Sequence, residues 1–153
     1  FKVRGWSRSP KSLPQVESFS GRDQLPAFLG KVEILVCLLP LTPDTRGILN
    51  AELFGHLPRG ASLINVARGG HLVESDLLAA MKSGQINAAT LDVFETEPLP
   101  EDHPFWTTDR LYITPHNASD TDPRSASWRI AKQIARFEAG EGLEDVVDRE
   151  RGY

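Results

Sequence analysis

Three side chains of complementary chemistry, Arg68, Glu97 and His116, stand 29 and 19 residues apart in the chain. Arginine presents a planar fork that can donate two parallel hydrogen bonds to a carboxylate. Histidine has a reference pKa of about 6.5, so it can give or take a proton near neutral pH. A glutamate beside it would orient the imidazole and favour its charged form. The structural alternatives are a surface ion-pair residue, a loop carboxylate and a turn histidine.

Apolar and helical segments alternate along the chain and would position these side chains. Strands are predicted from short apolar or β-prone runs at residues 1–6, 33–40, 61–67, 86–94 and 111–116. Helices are predicted from apolar spacing and end signals at residues 21–31, 51–57, 74–84 and 122–139. The run at 33–40 predicts a strand buried on both faces, because branched apolar residues fill it.

This alternation predicts right-handed βαβ units around a parallel sheet, which is a doubly wound α/β fold. In such sheets, ligands bind outside the carboxyl ends of the strands. Polar stretches follow the predicted strands at this edge, and they include Arg68, Glu97 and His116. The sequence therefore predicts one functional edge of the sheet.

The composition is that of a single globular domain, with 153 residues and a net charge of -4. No basic stripe suited to phosphate groups is present, so we expect no nucleic-acid partner. The longest apolar run, residues 34–41, is far shorter than the roughly 20 residues of a membrane span, so we expect none. Four scattered histidines predict no metal site. The single cysteine, Cys37, is expected to be a buried thiol, which fits a reducing cytoplasm.

Four ordered motifs carry a family resemblance: PLTPDTRGILN, NVARGG, LDVFETEPLP and TPH, beginning at residues 40, 65, 91 and 114. Together they resemble the D-2-hydroxyacid dehydrogenase family over almost the whole chain. The resemblance implies a Rossmann-type sheet and hydride transfer between a nicotinamide cofactor and a small 2-keto acid. It assigns Arg68 to the substrate carboxylate and keto oxygen, His116 to proton delivery and Glu97 to holding the imidazole.

The resemblance also implies cofactor contacts at the ends of strands. Asp92 matches the aspartate that hydrogen-bonds the nicotinamide carboxamide, and Ala67 lies in the stretch expected to line the nicotinamide side. Leu39, Pro40 and Thr45 match a loop that packs along the adenosine and its ribose. Packing at a strand end is the structural alternative for each position.

The residues after the first predicted strand indicate which cofactor is used. Ser7 and Arg8 follow this strand, and no carboxylate stands beside them. NAD-preferring sheets place a carboxylate at the end of their second strand, where it binds the ribose 2′-hydroxyl and would repel a 2′-phosphate. Arginine and hydroxyl donors suit a phosphate dianion. We therefore expect NADPH, with NADH as the alternative.

Details of two motifs resemble one branch of the family, the glyoxylate/hydroxypyruvate reductases. Val73 precedes Glu74, His71 occupies a usually apolar place, and the chain ends in VDRERGY. A D-lactate or phosphoglycerate type of enzyme that uses NAD is an alternative, as is a non-catalytic, corepressor-like dinucleotide-binding protein. A role of His71 in shaping the site and a purely structural role both stay open.

The glycine-rich turn that approaches a cofactor pyrophosphate does not occur in this sequence. We therefore expect an incomplete doubly wound sheet that lacks its first strand. Residues 1–140 are expected to be the C-terminal part of a nucleotide-binding domain, and residues 141–153 a tail that returns to a missing substrate domain. The resemblance implies a homodimer for the full-length protein, and we expect the fragment alone to be weakly active or inactive.

Overall fold

A computed structural model describes residues 1–149. Its strands are β1 (Arg4–Ser7), β2 (Glu17–Ser20), β3 (Ile34–Cys37), β4 (Ala61–Asn65), β5 (Ile86–Leu91) and β6 (Leu111–Ile113). Its α-helices are α1 (Leu25–Leu29), α2 (Ala51–His56), α3 (Glu74–Ser83) and α4 (Pro123–Glu138). Short 3-10 helices lie at Gly69–His71 and Pro104–Thr107.

The strands form two parallel sheets. β1 pairs with β2, and the strands from β3 to β6 pair in sequence order. α1 packs against both strands of the smaller sheet and against α2, so helices connect the two sheets. The predicted parallel α/β fold of Rossmann type is confirmed, and among the described residues no strand joins β1 to β3.

Helix ends follow the signals in the sequence. The side chain of Asn50 accepts a hydrogen bond from the N–H of Leu53 at the start of α2, and Asp122 caps α4 in the same way. Gly84 ends α3 with φ of 75°, a left-handed conformation that glycine adopts without a steric penalty. These ends fix the short connections that return the chain to the sheet.

The apolar core lies between the four-stranded sheet and the helices. Side chains from β4, α2 and α3 meet there, and Leu63 and Leu77 are completely buried. Burial of such side chains contributes about 1.5–3 kcal/mol each. The core therefore gives a firm base to the loops that leave the strands.

Two details of the sheets differ from the sequence predictions. The prediction that β3 is buried on both faces is wrong, because Ile34 and Val36 are 48% and 45% exposed while Leu35 and Cys37 are buried. The described elements cover only one face of this strand. β2 was not predicted, since its ESFS sequence shows little apolar alternation and its strand conformation depends on pairing with β1.

The predicted helix near the C-terminus is confirmed as α4, and none of its residues is buried. Ion pairs fasten the following tail to this helix, and they join Arg129 to Asp145, Lys132 to Glu144 and Arg136 to Glu141. Residues 150–153 of the predicted tail lie outside the described residues. Within residues 1–149, no helix has the length and apolar character that a membrane crossing requires.

Candidate functional site

The loops that follow β4, β5 and β6 lie at one edge of the larger sheet, because these strands are parallel and adjacent. They carry Arg68, Glu97 and His116 respectively. His116 and Glu97 are in direct contact, and the positive charge of Arg68 acts on the Glu97 carboxylate. The structure thus brings the three side chains together, although they are far apart in sequence.

The imidazole of His116 is oriented by Glu97. Nδ1 of His116 lies 2.9 Å from Oε2 of Glu97, and the other carboxylate oxygen accepts from the N–H of Phe94 at 2.9 Å. These hydrogen bonds, with the charges of His116 and Arg68, hold the pKa of Glu97 below its usual value of 4.5 against a smaller opposing effect of burial. Glu97 is therefore ionised at neutral pH and accepts from Nδ1, which leaves Nε2 as the nitrogen for proton exchange.

Asp92 holds the loop that carries His116. Its buried carboxylate accepts hydrogen bonds from the hydroxyl of Thr114 and from the N–H groups of Asn117 and Ala118. Burial alone would raise the pKa of Asp92, but these hydrogen bonds and the charge of His116 outweigh it and lower the pKa. His116 itself has φ of 53°, a left-handed conformation that is uncommon for a residue with a side chain. The carboxylate therefore stabilises an unusual backbone path on both sides of His116.

Arg68 extends from a backbone that two buried polar side chains hold in place. Its carbonyl oxygen accepts from Nδ2 of Asn65 at 3.1 Å, and Nδ1 of His71 lies 3.0 Å from the same oxygen. Asn65 and His71 are both completely buried. The guanidinium is exposed and donates one hydrogen bond to the carbonyl of Ala67 at 2.6 Å. Its remaining N–H groups can serve an anion.

Two glycines allow the Arg68 loop to pack closely on the Glu97 loop. A Cβ at Gly69 would lie 1.9 Å from the carbonyl carbon of Phe94, and a Cβ at Gly70 would lie 3.0 Å from Oε2 of Glu95. Any side chain at Gly69 would therefore overlap with backbone. The close approach fixes the relative position of the loops that carry Arg68 and Glu97.

The residues predicted to contact the 2′-phosphate lie at the end of β1, and those predicted to contact the adenosine follow β3. Ser7 ends β1 and its hydroxyl donates to the carbonyl of Ser9, while Arg8 follows with an exposed side chain. After β3, the hydroxyl of Thr45 donates to the carbonyl of Pro40 at 2.7 Å, which gives this loop a defined shape. Their contacts with a cofactor stay predictions.

The other predicted cofactor residues are more enclosed. Leu39 is partly buried and packs against the apolar core, and Ala67 is 8% exposed. Asp92 is 2% exposed, and its two oxygens already accept three hydrogen bonds. These positions are at the predicted edge of the sheet, and their assignment to the cofactor also stays a prediction.

Several contributors to this site were not assigned a role from the sequence. One is Thr114, whose hydroxyl donates to the carboxylate of Asp92. Another is Asn65, which begins the NVARGG motif and for which no separate role was predicted. A polar residue at the end of an otherwise apolar strand is the signal that could have identified it. Among residues 1–149, no group of three or more His, Cys, Asp or Glu side chains is placed to hold a metal ion.

Comparison with known proteins identifies the family to which the chain belongs. Residues 1–118 match the family model described as "D-isomer specific 2-hydroxyacid dehydrogenase, NAD binding domain". Glyoxylate/hydroxypyruvate reductase A of Serratia proteamaculans (strain 568) is 57% identical over 153 residues, which are 100% of this chain and 49% of that protein. The protein of the same name from Yersinia enterocolitica is 52% identical with the same coverage. The chain thus spans about half the length of the curated relatives it matches.

Solved structures agree with this assignment. A D-isomer specific 2-hydroxyacid dehydrogenase from Xanthobacter autotrophicus Py2, in complex with NADPH and MES, has a TM-score of 0.96 and 55% identity and covers 100% of this chain and 63% of that one. An NADPH-dependent glyoxylate/hydroxypyruvate reductase from Sinorhizobium meliloti, in complex with NADP and sulfate, has a TM-score of 0.94 and 49% identity and covers 100% and 50%. The chain belongs to the D-isomer-specific 2-hydroxyacid dehydrogenase family, and it is similar to the glyoxylate/hydroxypyruvate reductases within it.

Proposed function

We propose that the chain carries the nucleotide-binding and proton-transfer residues of an NADPH-dependent reductase that converts glyoxylate and hydroxypyruvate to the 2-hydroxy acids. The observation that carries the proposal is the 2.9 Å contact between Nδ1 of His116 and ionised Glu97, with the charge of Arg68 close by. Family membership and the names of the Serratia and Sinorhizobium relatives support the choice of substrates and cofactor.

Arg68 would bind the acidic end of the substrate. Its guanidinium is exposed at the edge of the sheet and keeps N–H groups beyond the one that bonds Ala67. A planar fork of donors matches a carboxylate and can also polarise a neighbouring keto oxygen. The positive charge beside that oxygen would stabilise the negative charge that develops during reduction.

His116 would deliver the proton to the keto oxygen. A bound nicotinamide cofactor supplies the hydride in this chemistry. Because Nδ1 of His116 faces Glu97, the acidic proton would leave from Nε2. The ionised Glu97 holds the direction of the ring throughout the reaction.

The donor set at the end of β1 fits the 2′-phosphate of NADPH. The hydroxyl of Ser7 and the exposed guanidinium of Arg8 stand there, and residues 1–16 contain no Asp or Glu. Serine and arginine would donate to a phosphate dianion, whereas a carboxylate would repel it. Thr45, Pro40 and Leu39 would then line the adenosine, and Ala67 and Asp92 the nicotinamide.

The substrate and cofactor are tested with a chimera, in which these 153 residues replace the matching region of the Serratia proteamaculans protein. Loss of NADPH absorbance is measured with glyoxylate and with hydroxypyruvate, and NADH is tested beside NADPH. We expect NADPH-dependent reduction of both acids by the chimera, and little or none by the 153-residue chain alone. A folded chimera that binds NADPH but reduces neither acid would contradict the proposed reaction. Preference for NADH would contradict the cofactor assignment.

The role of His116 is tested by His116→Ala in the chimera. Loss of a positioned general acid lowers kcat by about 100-fold or more, while NADPH affinity should change little. His56→Ala is the matched control, because His56 is an exposed histidine at the end of α2. If His116→Ala weakened NADPH binding and left kcat unchanged, the assigned role would be wrong.

The exposed apolar side chains of α4 support the predicted domain division. Ile130, Ile134 and Phe137 are 61%, 53% and 71% exposed. We propose that residues 1–140 form the nucleotide-binding part, and that the segment from 141 onward returns to a substrate domain. A homodimer and a cytoplasmic location also stay predictions. Light scattering of the chimera would measure its oligomeric state.

A further inference from the structure

We propose that His71 is a positioning residue that couples the backbone of Arg68 to the loop at Pro40. The proposal rests on the proposed function, in which Arg68 binds the substrate and Pro40 lies along the cofactor. We call the imidazole of His71 and the two carbonyl oxygens that it contacts the His71 clamp. The clamp would set the distance between the substrate-binding side of the site and the cofactor-binding side.

The geometry of the ring carries this inference. His71 is completely buried, Nδ1 lies 3.0 Å from the carbonyl oxygen of Arg68, and Nε2 lies 3.2 Å from that of Pro40. A carbonyl oxygen can only accept, so a neutral ring, which has one N–H, donates to one of the two oxygens, and donation to both requires the protonated ring. The two oxygens belong to different loops, 28 residues apart in sequence. The side chain thus adds a further link between two loops that backbone hydrogen bonds at Gly47 and Leu49 also join.

At the Arg68 end, the clamp acts with a second buried side chain. Nδ2 of Asn65 donates to the same carbonyl oxygen at 3.1 Å, and Oδ1 of Asn65 accepts from the N–H of Ala67 at 3.2 Å. The buried side chain of Asn65 therefore fixes the peptide groups next to Arg68. The arginine side chain is long and exposed, so the fold controls its position chiefly through this backbone.

At the other end, the clamp reaches the loop that follows β3. The carbonyl oxygen of Pro40 also accepts from the hydroxyl of Thr45 at 2.7 Å, so two side chains converge on it. This loop is the one predicted to line the adenosine. Release of the Pro40 contact should therefore affect cofactor binding, whereas release of the Arg68 contact should affect the substrate.

Changes to the imidazole should leave this region folded, because backbone hydrogen bonds hold it independently. The N–H of Gly47 donates to Gly70, that of Leu49 donates to His71, and that of Val73 donates to Leu49, at distances from 2.9 to 3.0 Å. None of these bonds uses the side chain of His71. Side-chain variants can therefore separate positioning from folding.

Two conservative variants in the chimera test the two ends separately. The amide nitrogen of His71→Asn stands about where Nδ1 stood, so this variant keeps the contact to Arg68 and loses the one to Pro40. The longer His71→Gln places its amide nitrogen near Nε2 and keeps only the contact to Pro40. His71→Leu removes both. Leu53→Val, in the buried part of α2, controls for general loss of core packing.

We expect the kinetic constants of these variants to split. His71→Asn should raise KM for NADPH about tenfold and leave kcat/KM for glyoxylate within about threefold at saturating NADPH. His71→Gln should lower kcat/KM for glyoxylate by about 10- to 100-fold and leave KM for NADPH nearly unchanged. His71→Leu should show both losses, and Leu53→Val neither.

In each variant, KM for NADPH and kcat/KM for glyoxylate could instead both worsen in proportion to the loss of melting temperature. That result would show that His71 is only a core residue and would overturn the proposal. A chimera that does not reduce glyoxylate at all would instead refute the proposed function. The ring protons then decide the clamp, because in the folded, ¹⁵N-labelled chimera we expect a ring N–H signal from His71 that exchanges slowly with water. Rapid exchange of the ring protons would overturn the clamp whatever the activity.

Discussion

Removal of the Asp92 carboxylate should loosen the loop that carries His116 before it affects any other part of the fold. Asp92 is 2% exposed and accepts from the hydroxyl of Thr114 and from two backbone N–H groups, those of Asn117 and Ala118, at 3.0 Å. A hydrogen bond to a charged group contributes about 1.5–3 kcal/mol net. Water can reach the exposed residues of this loop and replace part of that loss. We therefore expect Asp92→Ala to lower the local free energy of opening by about 3 kcal/mol.

Hydrogen exchange at the amides of Asn117 and Ala118 measures this opening directly. A loss of about 3 kcal/mol corresponds to exchange that is roughly 100-fold faster in Asp92→Ala. Asp92→Asn should show a smaller effect, because one amide oxygen can still accept while the amide nitrogen cannot. Asp109→Asn is the matched control, since the side chain of Asp109 is 93% exposed and its change should stay within about 0.5 kcal/mol.

The kinetic consequence separates two roles of Asp92. If the carboxylate mainly holds the loop, Asp92→Asn should lower kcat in proportion to the loosening of the loop, because His116 with its φ of 53° needs that support. If it also binds the nicotinamide carboxamide, KM for NADPH should rise as well. Unchanged exchange at Asn117 and Ala118 in Asp92→Ala would refute the reasoning, since the contacts would then hold nothing in place.

Three further predictions concern other parts of the site. Gly69→Ala should destabilise the chimera by about 3 kcal/mol in urea unfolding, because its Cβ would overlap the backbone of Phe94. Gly55→Ala in α2 is the control and should be neutral or stabilising, because a Cβ at Gly55 would have no atom within 4 Å. Arg8→Asp should raise KM for NADPH about tenfold or more and leave KM for NADH nearly unchanged, and the same charge change at exposed Lys31 should affect neither. Equal effects on both cofactors would contradict the phosphate assignment. The pKa of Glu97 is lowered by folding, so its stabilising contribution is complete above its usual value of 4.5 and is lost as the pH falls through the lowered value. Urea unfolding between about pH 3 and pH 7 should therefore show a weaker acid loss of stability in Glu97→Gln than in the parent, and parallel curves would contradict it.

The sequence predicted most of the helices and strands because local signals and long-range packing agree in them. Asn50 and Asp122 are capping residues placed directly before helical apolar spacing, and Gly84 and Gly140 follow helices with positive φ. The short apolar runs of β4 and β5 bury their side chains as strands of the sheet. A helix or strand can be predicted from one sequence when its local signals and its long-range packing favour the same structure.

The features that the sequence did not predict depend on contacts between residues that are distant along the chain. β2 forms because Glu17 and its neighbours pair with β1, and the ion pair between Arg4 and Glu17 joins the two strands. The exposure of Ile34 depends on which elements cover β3, and the sequence of β3 cannot report that. The link from His71 to Pro40 likewise joins loops that are distant in sequence.

The candidate site combines exposed functional side chains with buried polar supports. Asn65 lies beneath Arg68, and Asp92 lies beneath the His116 loop, and the N–H of Asp92 donates to the carbonyl of Asn65 at 3.0 Å. A buried amide or carboxylate costs free energy unless its hydrogen bonds are satisfied, and both of these side chains are bonded. Neighbouring strands therefore end in linked polar anchors that orient the loops above them. Arg68 and His116 can stay open to a substrate and still be held in place, because buried side chains fix their backbones and Glu97 orients the ring of His116.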